Sequence, residues 1–359
     1  IGELMTEYGL GDLEALAEGV ISQSEQAIRR EIAAIPDGRY KNEVEIETVG
    51  DTAKLACTVI VEDDHVTVDF TGTSDAVPFA INVPVCYTTS FTTYIIKCLT
   101  TPSIPNNQGA TNPVTVTAPK GCILNAIRPS PTGGRHSVGW FIVPLVMGAL
   151  AEALPDRVQA DAGMASLFIV LSSPTGGEAN SNQYFLAGGL GGMAGLDGQH
   201  TTPFPTNNAV VASEVWENVT GMTVVRRQLL PDSGGPGEYR GGLGQIAEMV
   251  NTSPNPISIF MFGMRTEFPA EGHLGGKAGA KRRFEIDGEA ILPKGRVELG
   301  PGQTFTIHEA GGGGFGDPFK RDPERVLSDV TVGAVSSKAA LIDYGVRVDL
   351  EAGTADRGD

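Results

Sequence analysis

The sequence predicts a mixed α+β protein, with an α/β first half built around two apolar helices and a β-rich, glycine-rich second half. Three observations carry this. Apolar residues at helical spacing are concentrated in the first 155 positions. From about residue 160 onward, short aromatic and β-branched runs alternate with glycine-rich breaks. The 47 glycines and 23 prolines are spread along the chain rather than gathered in a tail, so they mark tight turns between short strands. At 359 residues there is room for two regions with cores of their own, divided at 1–155 and 156–359.

Taken in order, residues 12–35 place Leu13, Ala17, Ile21, Ile28, Ile32 and Ile35 at helical spacing. Asp12 can cap the start and Pro36-Asp37-Gly38 stops the helix. Two strands come next, in LACTVIVEDDHVTVDF. Val59 and Val61 alternate before a polar turn, Val66, Val68 and Phe70 after it, and His65 is expected in that turn, exposed. Tyr87, Phe91, Ile95 and Cys98 define the first apolar helix, over 87–99, and Val138–Leu154 is the second. Between these two helices runs a long polar, proline-rich connection, and connections of that length are usually functional or pinned at an interface. The second region offers the strands SLFIVLSS, NQYFLAGG, MTVVRRQLL, ISIFMFG and RFEIDGEAIL. Its last element is a short helix, Ser336–Tyr344, capped by Ser336 and ended by Gly345.

Composition removes several classes of function. Net charge is −17 and the densest basic cluster is Lys281-Arg282-Arg283, which argues against a nucleic-acid partner. The Val138–Leu154 run contains Pro144 and is shorter than the roughly 20 residues a membrane span needs, so it reads as a core helix and no membrane partner is expected. With no signal peptide evident, a cytoplasmic location is expected. Cys57, Cys86, Cys98 and Cys122 show no CxxC spacing and sit in apolar contexts, so they read as small buried hydrophobes. The chain begins at Ile1, which suggests a start within a longer protein or a processed end.

Each motif has a plain structural explanation beside its chemical one. Gly189-x-Gly191-x-x-Ala194 fits a loose dinucleotide pattern, but the next residues, GLDGQHTTPFPTN, cannot form the helix that pattern requires. The run Gly311–Gly314 lacks GxxxxGK[ST], and the next lysine is Lys320, beyond a proline. A tight turn with positive φ is expected there, with Asp322-Pro323 opening a helix after it. The five histidines are isolated, so no metal site is expected within this chain. His136 follows Arg135 in PTGGRHSVGW; both can point into a pocket, or His136 can merely begin a helix. Asp197, His200, Asn207, Glu214 and Glu217 fall close together in turn-rich chain, where a carboxylate beside an imidazole can do acid–base work. The plainer alternative is a turn at Asp197-Gly198 and a solvated helical face at Glu214 and Glu217. No GxSxG elbow is present.

Eight segments in order resemble the hydantoinase B/oxoprolinase family. They are DFTGTS at 69–74, INVP at 81–84, IPNNQG at 104–109, RPSPTGGRHSVG at 128–139, GGLGGMAGLDG at 188–198, the TN and EVWE pairs within 206–217, LLPDSGGPGEYRGGLG at 229–244, and GGGGFGDPFKRDPERVLSDVTVGAVS at 311–336. The resemblance implies a B-type subunit of an ATP-dependent cyclic-amide hydrolase, such as an N-methylhydantoinase or 5-oxoprolinase, active only with a partner. A ketone carboxylase subunit of the acetone or acetophenone type is the first alternative, and a non-catalytic scaffold within such a complex the second. It further implies an A-type ATPase partner that carries ATP and magnesium. A transition metal, zinc or manganese, would sit on an N-terminal portion of the B-type subunit that finds no match here. The chain then reads as the C-terminal part of that subunit. His136, Arg135, Asp197 and Asn207 are the catalytic candidates the resemblance supports. Asp69, Asn82, His200, Glu214 and Arg240 are candidates for substrate binding or for shaping the loops.

Overall fold

A computed structural model of the chain describes residues 1–173 and 180–357. Helix α1 (Gly2–Glu7) buries no residue, whereas α2 (Glu14–Ile32) buries Ser24, Ile28 and Ile32. Asp12 accepts the Glu14 N–H at 3.0 Å, at the start of α2. The helix stops short of Ile35 because the ring of Pro36 would meet the carbonyl of Ile32, four residues back. Three antiparallel strands come after it: β1 (Gly38–Glu47), β2 (Thr52–Glu62) and β3 (His65–Asp69). Strand β1 was not legible in the sequence, since its inward face includes the polar Asn42. Asp63, with φ 52°, makes the turn between β2 and β3. His65 is therefore not in the turn. It opens β3 opposite Glu62 and is half-buried, with Nε2 2.9 Å from the Thr115 hydroxyl.

Helix α3 (Val85–Thr100) leads to β4 (Val114–Thr117), which runs parallel to β3 and completes a sheet of order β1-β2-β3-β4. The second apolar helix is two helices, α4 (His136–Gly139) and α5 (Ile142–Ala149), separated at Trp140-Phe141. This break places Pro144 in the first turn of α5, where a missing N–H costs no hydrogen bond. α5 packs on β1 and β2, and Ile28, Leu55, Val59, Val68 and Leu145 lie fully buried in the shared core. The same core reaches past residue 155 to Val158, Met164 and Met264.

The remaining strands are β5 (Ala165–Ser172), β6 (Asn180–Ala187), then, after helix α6 (Ser213–Thr220), β7 (Met222–Leu229), β8 (Gln245–Asn251), β9 (Ile257–Phe262), β10 (Arg283–Ile286), β11 (Glu289–Ala290), β12 (Lys294–Leu299) and β13 (Thr304–His308). They form two sheets, of order β12-β9-β5-β6 and β11-β10-β13-β8-β7. Phe168, Tyr184 and Met261 of one share a buried cluster with Met249, Phe305 and Ile307 of the other. Trp216 of α6 belongs to this cluster, its ring 4.2 Å from that of Tyr184. The segment RFEIDGEAIL is a hairpin: Asp287 and Gly288 have φ of 50° and 81°, as an Asp-Gly turn requires.

Asp322 accepts the Glu324 N–H at 3.0 Å and Pro323 is the first residue of α7 (Pro323–Thr331). Ser336 caps α8 (Ser337–Tyr344), which ends at Gly345 with φ 66°. Beyond it lies a small antiparallel ribbon, β14 (Arg347–Asp349) with β15 (Thr354–Asp356), so α8 is not the last element. Among the described residues no helix is long and apolar enough to cross a membrane.

The glycines of the second half do more than turn the chain. None of Gly311–Gly314 has positive φ; that conformation falls to Gly316, at 72°. The expected tight turn is instead a buried stretch packed against the backbones of other segments. A Cβ on Gly311 would lie 1.7 Å from the Ser233 carbonyl oxygen, on Gly312 1.9 Å from that of Leu190, on Gly313 2.0 Å from that of Glu271, and on Gly314 2.0 Å from that of Pro236. Only glycine permits backbones to approach this closely, as at the axis of collagen. The four amides donate to Ala280 O (3.1 Å), Gly242 O (3.0 Å), Asp161 O (2.8 Å) and Lys277 O (2.9 Å). Gly189 and Gly192 join the same assembly, donating to Ala310 O at 3.0 Å and Gly313 O at 2.9 Å. Both glycine motifs are thus structural cross-links between segments far apart in sequence.

Candidate functional site

The candidate residues separate into three places, with Asp69 apart from all of them. The first lies at the start of α4. Asn82, fully buried, accepts the Val77 N–H at 2.8 Å and donates to the carbonyls of Val77 (2.7 Å), Phe79 (2.8 Å) and Pro131 (3.0 Å). It fastens the loop that presents Arg135 and His136 to the segment before α3. Arg135 is exposed, its guanidinium carbon 5.6 Å from the Tyr87 ring centroid. His136 is half-buried, with ring centroids 5.1 Å from Trp140 and 6.2 Å from Phe262. Burial, aided by the Arg135 charge, lowers its pKa to about 4, so the imidazole is neutral at physiological pH. It lines a cavity of about 10 Å³, the size of a single water, with Ser137, Trp140, Met164, Phe262 and Met264.

Phe262 and Met264 also border a larger apolar groove of about 260 Å³, whose charged member is Lys294. Burial lowers the Lys294 pKa against the pull of Glu47 and Glu267, while Nζ donates to Thr48 O at 2.9 Å. Asp69 stands apart from this group. Its Oδ1 accepts from the Thr71 N–H (3.1 Å) and hydroxyl (2.8 Å) and from the Thr117 hydroxyl (3.1 Å), which joins the end of β3 to β4.

The second place is an ionic interlock around Asp197. Its carboxylate accepts from the Arg240 N–H (2.7 Å), from Arg321 (2.7 and 2.9 Å) and from Arg325 (3.1 Å). Arg321 also bonds Asp329 of α7 at 2.7 Å, and Arg240 reaches the other oxygen of Asp329 at 3.2 Å. Burial alone would raise the Asp197 pKa, but the bonds and charge of Arg321, with Arg240 and Arg325, leave it lowered. His200 accepts the Leu243 N–H on Nδ1 at 2.9 Å, and burial with the Arg240 charge lowers its pKa, against Asp329 and Asp197. Asp197 is thus placed to clamp the glycine-rich loops to α7, with its lone pairs taken by arginines. The third place is solvent: Asn207 has φ 51° and is exposed, as is Glu214 in the first turn of α6.

Sequence reasoning missed a further group, Asp161, Arg265 and His273, which line one cleft. Asp161 and Arg265 are buried and ion-paired. The signals in the sequence were slight: a charged residue between alanines in Ala160-Asp161-Ala162, and an arginine just after an apolar strand. No group of three or more His, Cys, Asp or Glu among the described residues could hold a metal ion. The site residues here do not fit one, and no step is assigned to a metal in this chain. Nor does the glycine run fit a nucleotide, because all four of its amides are taken by carbonyls.

Residues 1–318 match the hydantoinase B/oxoprolinase family, and the chain belongs to that family. It is 30% identical to a protein named as the B component of a D-/L-hydantoinase from Pseudomonas sp. strain NS671, over 96% of this chain and 62% of that protein. Its fold is similar to that of the ATP-dependent caprolactamase of Pseudomonas jessenii, with TM-score 0.86, 25% identity, and coverage of 97% of this chain and 64% of that one. A nucleotide-free acetone carboxylase shares the fold at TM-score 0.81 and 20% identity, covering 99% of this chain and 55% of the other. The chain therefore spans less than two thirds of the length of these relatives.

Proposed function

We propose that the chain is part of the B-type subunit of an ATP-dependent cyclic-amide hydrolase and works with an A-type ATPase subunit. The observation that carries this reading is the state of the glycine run. The chain belongs to the hydantoinase B/oxoprolinase family and resembles an ATP-dependent caprolactamase, yet its four glycine amides are spent on carbonyls and cannot cradle a phosphate. ATP and magnesium then belong to the partner, and a zinc or manganese ion to a further portion of the B-type subunit.

The chemistry explains the division. Phosphorylation of the amide oxygen by the partner turns a stable carbonyl into an activated centre. Water adds at that carbon, the C–N bond breaks as nitrogen takes a proton, and a second water releases phosphate from the acyl phosphate. Such a site needs a neutral base and a cation for developing negative charge. His136 supplies the neutral imidazole and Arg135 the guanidinium, on a loop held by Asn82. Asn207 is free to add a hydrogen bond from its exposed loop, while Asp197 acts as a positioning residue.

The test is reconstitution with an A-type subunit and the remainder of the B-type subunit. Ring opening of hydantoin or 5-oxoproline coupled to ADP formation is expected. Fixation of bicarbonate onto a ketone without any ring opening would overturn the reading in favour of a carboxylase.

A further inference from the structure

The apolar groove beside the His136 site holds a nucleophile that the proposed hydrolysis does not use. Its walls come from three places: Val49 in the turn between β1 and β2, Phe79 and Ile81 before α3, and Met261, Phe262 and Met264 at the end of β9 and just after it. Lys294 is the first residue of β12, an edge strand. Antiparallel pairing sets it directly opposite Phe262, so the lysine side chain stands beside that ring on one face of the sheet. A lysine at a sheet edge commonly lays its stem on apolar surface and sends the ammonium into water. Here Nζ turns back instead and donates at 2.9 Å to the carbonyl of Thr48, a residue 4% exposed.

Among the described residues lysine makes ion pairs at Lys54 and Lys277, both exposed, and not at Lys294. Glu47 and Glu267 attract Lys294 from farther off, but burial works against them and prevails, lowering its pKa. A lysine amine partly stripped of water in an apolar groove is a nucleophile for carbonyl carbon. The surroundings narrow the class of electrophile. An anion would face Glu47 and Glu267, and a cation would face the ammonium. At about 260 Å³ the groove is near the lower end of small-ligand sites, so it suits a short alkyl chain. With Nζ tied to Thr48 O and flanked by Phe262, a carbonyl carbon with one substituent fits best.

We propose that this groove binds small apolar aldehydes and that Lys294 Nζ joins them as a reversible imine. The neutral amine attacks the aldehyde carbon, and the carbonyl π electrons pass to oxygen. A proton moves from nitrogen to that oxygen, and loss of water leaves the C=N bond, with no oxidant or reductant required. The proposal stands apart from the hydrolase reading, because it is tested on the full chain without ATP or partner. The chain is treated at neutral pH with hexanal or acetaldehyde and sodium cyanoborohydride, which reduces the imine to a stable secondary amine. Peptide mass spectrometry then reads the label at each lysine. Hexanal is expected to label Lys294 about tenfold faster than the exposed Lys320 and Lys338, a gain equal to burying about two methylene groups, and acetaldehyde to show no such preference. 1-Hexanol, which fits the groove but forms no imine, should slow the label at Lys294 and leave Lys320 and Lys338 unchanged. Val49→Asp, at a position 44% exposed on the groove wall, should cut the hexanal preference without unfolding the chain. Hexanal labelling of Lys294 no faster than that of the exposed lysines, an equal preference with acetaldehyde, or no effect of 1-hexanol would each overturn the proposal.

Discussion

Replacing Gly312 by alanine tests the central architectural finding at a single atom. The added Cβ would lie 1.9 Å from the Leu190 carbonyl oxygen and 2.2 Å from its carbon. That carbonyl cannot retreat freely, because it accepts the Gly242 N–H at 2.7 Å, while Gly312 itself donates to Gly242 O at 3.0 Å and accepts from Gly235 N–H at 2.8 Å. Overpacking in a rigid interior costs about 1–3 kcal/mol, and about two buried hydrogen bonds near 1 kcal/mol each would be strained with it. A total near 4 kcal/mol lowers the melting temperature of a chain this long by about 5 °C. Differential scanning calorimetry reads this directly, with Gly19→Ala as the control. Gly19 lies in α2 with nothing within 4 Å of an added Cβ, so the methyl should stabilise the helix by about 0.5–1 kcal/mol. A Gly312→Ala protein that melts with the wild type would refute the close-packed backbone assembly.

Three further outcomes are expected. Asp197→Asn removes the charge that buried Arg321 and the more exposed Arg325 clasp, and losing charge-assisted hydrogen bonds at this half-buried position costs about 1.5–3 kcal/mol, measurable as a lower urea midpoint. Because the folded pKa of Asp197 is lowered, its contribution is present above the unfolded aspartate pKa and is lost as pH falls through the folded value; the variant should lose that part of the acid sensitivity. His136→Ala should reduce kcat of the reconstituted complex by about 10²–10⁴-fold with assembly intact. Since its pKa of about 4 is below the unfolded value, the folded protein holds His136 neutral, and stability is expected to decline as pH falls from the unfolded histidine pKa toward 4; unchanged turnover in the variant would support the scaffold alternative instead. Finally, the isolated chain should neither turn over ATP nor retain a stoichiometric transition metal, and metal analysis of the purified chain that found one would contradict the assignment.

The sequence revealed most where local physics dominates. Alternation of Val66, Val68 and Phe70 and the Ser336 cap are decided by neighbours a few residues away, and each is present. What it hid depends on distant contacts. Strand β1 half-buries Asn42 because the polar side chain finds the Leu145 carbonyl at 3.1 Å, a partner 103 residues away that no alternation pattern signals. The glycine run looked like a turn because glycine most often serves turns, whereas here it serves close approach to several distant segments. Among site candidates, the nearness of Asp197 and His200 in sequence suggested acid–base chemistry. The arginines that claim Asp197, Arg321 and Arg325, come from more than 120 positions later. Asp161, Arg265 and His273 meet only in three dimensions.

Ring opening by the reconstituted complex bears most directly on the central claim, that this chain supports amide hydrolysis while its partner holds the nucleotide. With an A-type subunit, the whole B-type subunit and ATP, hydantoin or 5-oxoproline should be opened with ADP formed in step, and omission of this chain should abolish both the opening and its coupling. Bicarbonate-dependent carboxylation of a ketone with every cyclic amide left intact, or ATP turnover by this chain alone, would contradict it.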